Sequence, residues 1–164
     1  MQSEHCFQLS LDYRCKDLYL GNRKVYISRF PKLETLAWKD AASYCKTHWN
    51  GTGQLIRLRS PQEHLKLHEL LGATTYWIGA TDSHQENQWQ WIDGCSVEPS
   101  ILMWNGGQPS NYLSNEHCLS YGLYYKLNDD KCTKKFPFAC ELPPTGMVCG
   151  KCNEIEYTHI RIPS

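Results

Sequence analysis

Within the run GGQPSNYLSNEHC, Gln108, Ser110 and Glu116 offer an amide, a hydroxyl and a carboxylate, and Asn128 and Asp129 add a further amide and carboxylate downstream. A set made wholly of oxygen donors suits a hard divalent cation such as calcium, which takes six to eight oxygens at about 2.3–2.6 Å. Ser110 is the weakest donor of the five. Asn128 and Asp129, adjacent at an expected strand start, can present a side-chain oxygen and a backbone carbonyl to one ion. The Gln108–Pro109 bond is a place where a cis peptide can turn both flanking side chains toward one point. Only Glu116 and Asp129 bring charge, so the expected affinity is weak and met at extracellular calcium concentrations.

Other constellations point to less. His64 and His68 stand four apart, but the metalloprotease arrangement needs Glu directly after the first His, and this chain has Leu65 there. Two half-buried or solvent-facing histidines are expected. Cys149-Gly150-Lys151-Cys152 has CxxC spacing but follows a proline pair instead of opening a helix after a strand, so disulfides are expected over redox chemistry. No Ser/His/Asp or paired-carboxylate pattern rises above composition, and the chain is not read as an enzyme.

Two helices must help to position these groups. In TLAWKDAASYCKTHW, Trp38, Ala41, Ala42 and Cys45 recur at helical spacing and mark one buried face. In SPQEHLKLHELLG, Ser60 is the expected N-cap, Pro61 the first helical residue and Glu63 the partner in a capping box, with Gly72 as the stop. Aromatic-rich strands follow at 75–81, 88–94 and 136–142. In the second of them Trp89, Trp91 and Asp93 share one face, and Gln90 and Ile92 the other. Between Gly94 and Phe136 lies a long segment of little regular pattern, acceptable in a compact domain only as a pinned functional loop. The last 22 residues begin with a proline pair and carry a short expected strand at 154–162.

At 164 residues the chain suits one domain, able to bury about two-thirds of its unfolded surface. Seventeen basic and seventeen acidic side chains cancel, and the basic residues form no cluster beyond pairs such as Lys134-Lys135, so nucleic acid is excluded as an expected partner. Apolar runs are far too short for a bilayer, and no basic-then-apolar leader opens the chain, which reads as a mature secreted protein. Nine cysteines agree with an oxidising compartment, as does the Asn50-Gly51-Thr52 glycosylation sequon. Their odd number leaves at least one thiol for an interchain bridge, hence a disulfide-linked homodimer.

The succession of a helix with Cys45, a capped helix, WIGA (77–80), WQWIDG (89–94), QPS (108–110), EHC (116–118), LND (127–129), Cys132 and PFAC (137–140) resembles the C-type lectin domain over residues 13–142. The ladder Gln108, Glu116, Cys118, Asn128-Asp129, Cys132, Cys140 carries the resemblance. It leaves residues 1–12 as an N-terminal extension and 143–164 as a C-terminal extension with the CxxC. The implied fold is α+β, two helices flanking antiparallel sheets with a long calcium- and sugar-binding loop region.

The resemblance further implies a cis Gln108–Pro109 bond and the disulfides Cys45–Cys140 and Cys118–Cys132. A further N-terminal pair of the family would place its second cysteine near Val25, where this chain has none, so Cys6 is the candidate partner of Cys15. Cys95, Cys149 and Cys152 remain as interchain candidates. Calcium, in the family, keeps positions open for two vicinal sugar hydroxyls, and Gln108, Ser110, Tyr112, Glu116 and Asn128 would contact the sugar. Gln108 matches the galactose pattern, Tyr112 stands where galactose-binding relatives place an aromatic ring, and Ser110 matches neither the galactose nor the mannose pattern. The expected function is therefore calcium-dependent binding of galactose or N-acetylgalactosamine, multivalent through a dimer. A mannose-type lectin and a calcium-independent module for a protein partner are the alternatives. For an auxiliary calcium site, Asp82 and Glu86 match but His117 and Asn111 replace carboxylates, so that site is expected to be absent or weak.

Overall fold

The computed structural model describes residues 18–28 and 34–142. Cys6, Cys15, Cys149, Cys152 and the strand expected at 154–162 lie outside the described residues. Strands β1 (Leu18–Leu20) and β2 (Arg23–Ile27) form a hairpin, followed by α1 (Trp38–His48), β3 (Gln54–Leu55) and α2 (Glu63–Leu71). Then come β4 (Tyr76–Thr81), β5 (Gln90–Trp91), β6 (Cys118–Gly122), β7 (Lys126–Asp130) and β8 (Ala139–Leu142). All ladders are antiparallel, in two sheets ordered β1-β2-β8-β3 and β5-β4-β6-β7. The α+β architecture matches expectation.

The burial of β4 explains how the two sheets share an interior. Tyr76, Ile78 and Ala80 enter one apolar cluster with Leu67 and Leu71 of α2, while Trp77 turns the opposite way into a second cluster with Ala41 and Cys45 of α1. Alternation at period two thus feeds both cores from one strand. At Gly79 a Cβ would meet the Leu55 carbonyl oxygen at 2.6 Å, and the Gly79 N–H bonds the Ile56 carbonyl, so glycine permits the backbones of the two sheets to touch. The Cys45–Cys140 bridge ties α1 to β8 across 95 residues. A native disulfide typically stabilises by about 2–4 kcal/mol, and long loops lie at the upper end.

Helix α1 buries Ala41, Ala42 and Cys45 as its spacing predicts. Helix α2 starts later than expected, at Glu63, and the capping box does not form. Ser60 and Pro61 instead make a turn whose carbonyls accept the Glu63 and His64 N–H groups. The Glu63 carboxylate is taken by Arg23 and the Arg59 N–H, a tertiary ion pair outcompeting a local cap. Gly72, at φ 73°, ends the helix as expected.

The stretch 94–136 is more ordered than its composition suggests. Strand β6 is buried at all five positions and so lacks alternation, and β7 begins at Lys126 and ends in the acidic residues, whose partners are found only in three dimensions. Asn128 and Asp129 are not at a strand start but at the third and fourth positions of β7.

Candidate functional site

Strands β6 and β7 pair in the register Leu119↔Asp129 and Cys118↔Asp130, which sets Glu116, two residues before β6, beside the end of β7. The Cys118–Cys132 bridge closes that end. The loop is pinned at its start, where Leu127 donates to the Met103 carbonyl and Asn105 to that of Leu127. It then turns through the Gln108–Pro109 bond, which is cis.

Beyond the cis bond the loop wraps around two carboxylates. Asp129, 1% exposed, accepts the N–H groups of Ser110 at 3.0 Å and Asn111 at 2.6 Å. Glu116, 7% exposed, accepts the Ser110 hydroxyl at 2.9 Å and the Tyr112 N–H at 3.0 Å, both on Oε2. The Asn111 side-chain oxygen in turn receives the Glu116 N–H at 3.2 Å. These bonds hold Asn111, Leu113 and Ser114 at positive φ, a conformation that costs a leucine of order 1–3 kcal/mol and tends to persist at functional loops.

Gln108 Oε1 is buried with no hydrogen-bond partner among the described residues. Burying such an oxygen unpaired costs about 1–3 kcal/mol, so the site fits a cation that would use it. Ser110 donates its one hydroxyl proton to Glu116 and keeps its lone pairs for a metal. The Tyr112 ring is 62% exposed, with Lys131 Nζ 5.9 Å from its centre.

Three of the five candidate cation ligands, Ser110, Glu116 and Asp129, thus meet at the turn, Gln108 stands at its cis bond, and the Asn128 amide points elsewhere. Its Nδ2 donates to the Asp129 carbonyl at 2.7 Å and to Asp130 Oδ2 at 2.9 Å. Two groups went unforeseen. Asp130, also buried, accepts from Ser120 and pairs with Lys134, whose Nζ lies 3.9 Å from Glu116 Oε1. The signal for Asp130 was the unbroken Asn-Asp-Asp run; Lys134 had none, being one of several loop lysines.

Elsewhere the candidates resolve more simply. His64 is buried, not exposed or half-buried, and its Nε2 bonds the Ile101 carbonyl at 2.8 Å, which makes it a core residue. Trp89 and Trp91 are buried and Ile92 exposed, as alternation predicts, although the regular strand is only Gln90–Trp91 and Asp93 leaves to pair with Arg57. Cys95 is 8% exposed and sits in the core with Trp91 and Val97, the environment least suited to reach a second chain. No helix among the described residues is long and apolar enough to cross a membrane.

Comparison with known proteins bears on the whole assembly. The family model for the Lectin C-type domain matches residues 34–142. A hepatic lectin of Gallus gallus is 40% identical over 68 residues, 42% of this chain and 33% of the relative, so the chain spans about a third of that protein's length. A C-type lectin of Cerberus rynchops is 30% identical over 135 residues, 77% of this chain and 82% of the relative. Among solved structures, the mouse scavenger receptor C-type lectin carbohydrate-recognition domain superposes with a TM-score of 0.64 at 29% identity, covering 77% of this chain and 91% of that one.

Proposed function

The chain belongs to the C-type lectin domain family, and we propose that it is a calcium-dependent lectin for terminal galactose or N-acetylgalactosamine. The observation that carries this reading is Gln108 Oε1, buried and unpaired beside a turn that also gathers Ser110, Glu116 and Asp129. Those four residues would hold calcium, and Asn128 can join them by exchanging its bonds to Asp130 and the Asp129 carbonyl. When bound, calcium supplies coordination positions for two vicinal sugar hydroxyls. Glu116 accepts a hydrogen bond from one hydroxyl, the Gln108 and Asn128 amides donate to hydroxyl oxygens, and Ser110, its own proton given to Glu116, can only accept. The exposed Tyr112 ring offers a face for the apolar C–H patch of galactose, and this ring favours galactose over mannose. The disulfides support an extracellular location.

One observation favours a second reading, a calcium-independent module for a protein partner. Glu116 and Asp129 already accept donors from their own loop, and Lys134 stands close to the former. Adsorption to immobilised galactose separates the two. The lectin reading expects retention in calcium, release by a chelator, and loss of retention in Asp129→Asn with an unchanged far-UV spectrum. Galactose binding that survives the chelator rules out the calcium mechanism.

A further inference from the structure

Outside the loop, a second constellation joins β4 to β6. Thr81 pairs with Cys118, so Asp82, next after β4, faces His117, next before β6. The pairing is reinforced by the His117 carbonyl, which accepts from the Thr81 hydroxyl at 2.6 Å and from the Asp82 N–H at 3.2 Å. Glu86 reaches the same point from the following turn, and one ligand atom from each of Asp82, Glu86 and His117 lies within 4.8 Å of the others.

We propose that Asp82, Glu86 and His117 form a binding site for a divalent transition ion of the zinc type, separate from the calcium site. His117 Nδ1 lies 3.1 Å from Asp82 Oδ1 and 3.4 Å from Glu86 Oε2. In a tetrahedron with metal–ligand bonds of about 2.0–2.1 Å, neighbouring ligands stand about 3.3–3.4 Å apart, so both separations fit with little adjustment. The donor types select the metal. Calcium takes oxygen and wants six or more ligands, whereas carboxylate oxygen and imidazole nitrogen are both zinc ligands, and three protein ligands leave the fourth position to water. His117, which weakens the place for calcium, is what suits it to the softer ion.

The surroundings orient the ligands as metal sites require. Asp82 is 1% exposed, and its Oδ2 is fixed by the Asn87 N–H at 2.8 Å, which leaves Oδ1 for the ion. Its only other side-chain hydrogen bond among the described residues is to His117. A buried carboxylate with two hydrogen bonds is stabilised further by a cation at Oδ1, where the ion would take the place of the proton shared with His117 Nδ1.

Thermal melting of the calcium-free full chain with added zinc chloride tests the site. A hundredfold excess of zinc over its dissociation constant is expected to raise the melting temperature by about 5–10 °C. The rise should vanish in Glu86→Gln, an exposed position where substitution leaves the fold intact, and in His117→Gln. Cobalt(II) should give a visible absorption band that zinc displaces in the wild type and that both variants lack. No rise in the wild type, or a rise and a cobalt band undiminished in both variants, overturns the proposal.

Discussion

At the scale of single residues, the candidate calcium site is shaped by competition for two carboxylates. Ser110 adds no charge, and its hydroxyl is committed to Glu116. Lys134 adds a charge of the wrong sign, 3.9 Å from Glu116 Oε1, while its nearer partner is Asp130. Half-exposed ion pairs of this kind are worth about 0–1 kcal/mol. Lys134→Gln is therefore expected to tighten calcium binding by about two- to fivefold, read by calorimetric titration. An unchanged or weaker affinity would place Lys134 outside the field of the ion. The oxygen donors themselves were legible as residue types, since an all-oxygen set names a hard cation. Which donors face inward was not legible: Asn128 bonds Asp130, which shares its face of β7, while Asp129 on the other face takes the loop backbone.

At the scale of elements, helix α2 shows how one buried titratable group links packing to pH. Burial pushes the His64 imidazole below its ordinary pKa of about 6.5, against the opposing pull of the backbone carbonyls of Ile101 and Tyr125. Lys126 adds to the depression and Glu63 works against it. Below about pH 6.5 the unfolded chain takes up a proton that folded His64 refuses, so this contribution is fully present above that pH and is lost as pH falls toward the lowered value. Its slope is at most about 1.4 kcal/mol per pH unit. Denaturant unfolding between pH 7.5 and 5.5 should show a larger loss of stability for the wild type than for His64→Gln; equal losses would mean His64 titrates alike in both states. Helix α1 could be read from periodicity, α2 from its stop signal, and strands β4 and β8 from aromatic-rich runs between turn residues. The short strands β1, β2 and β3 could not, because two to five residues give too little period. Strand β6 escaped because it is buried on both faces and, unlike β4, has Ser120 and Gly122 interrupting its apolar run.

At the scale of the molecule, binding strength depends on how many sites act together. Single sugar contacts are weak, and joining two chains raises avidity by orders of magnitude without a new contact. With Cys95 in the core, Cys149 and Cys152 are the better candidates for the proposed bridge between chains. The wild type is expected to run as a dimer on a non-reducing gel and the Cys149→Ser/Cys152→Ser variant as a monomer that leaves immobilised galactose earlier. A monomeric wild type sinks the disulfide-linked dimer. Within one chain, Arg23 and Glu141 are buried against each other, with Arg23 also bonding the Arg57 carbonyl at 2.7 Å and Glu63 at 2.6 Å. Composition alone would leave such groups at the surface. The sequence by itself determined the α+β class and the oxygen-donor types at the candidate site, and its resemblance to the C-type lectin domain supplied the family and the pairing of Cys45 with Cys140 and Cys118 with Cys132, because that resemblance rests on spacing along the chain. Only the tertiary structure decided that Asp82 meets His117, that Lys134 approaches Glu116 and that Asn128 turns away, since those meetings follow from strand register and from which face of a strand or loop each side chain occupies.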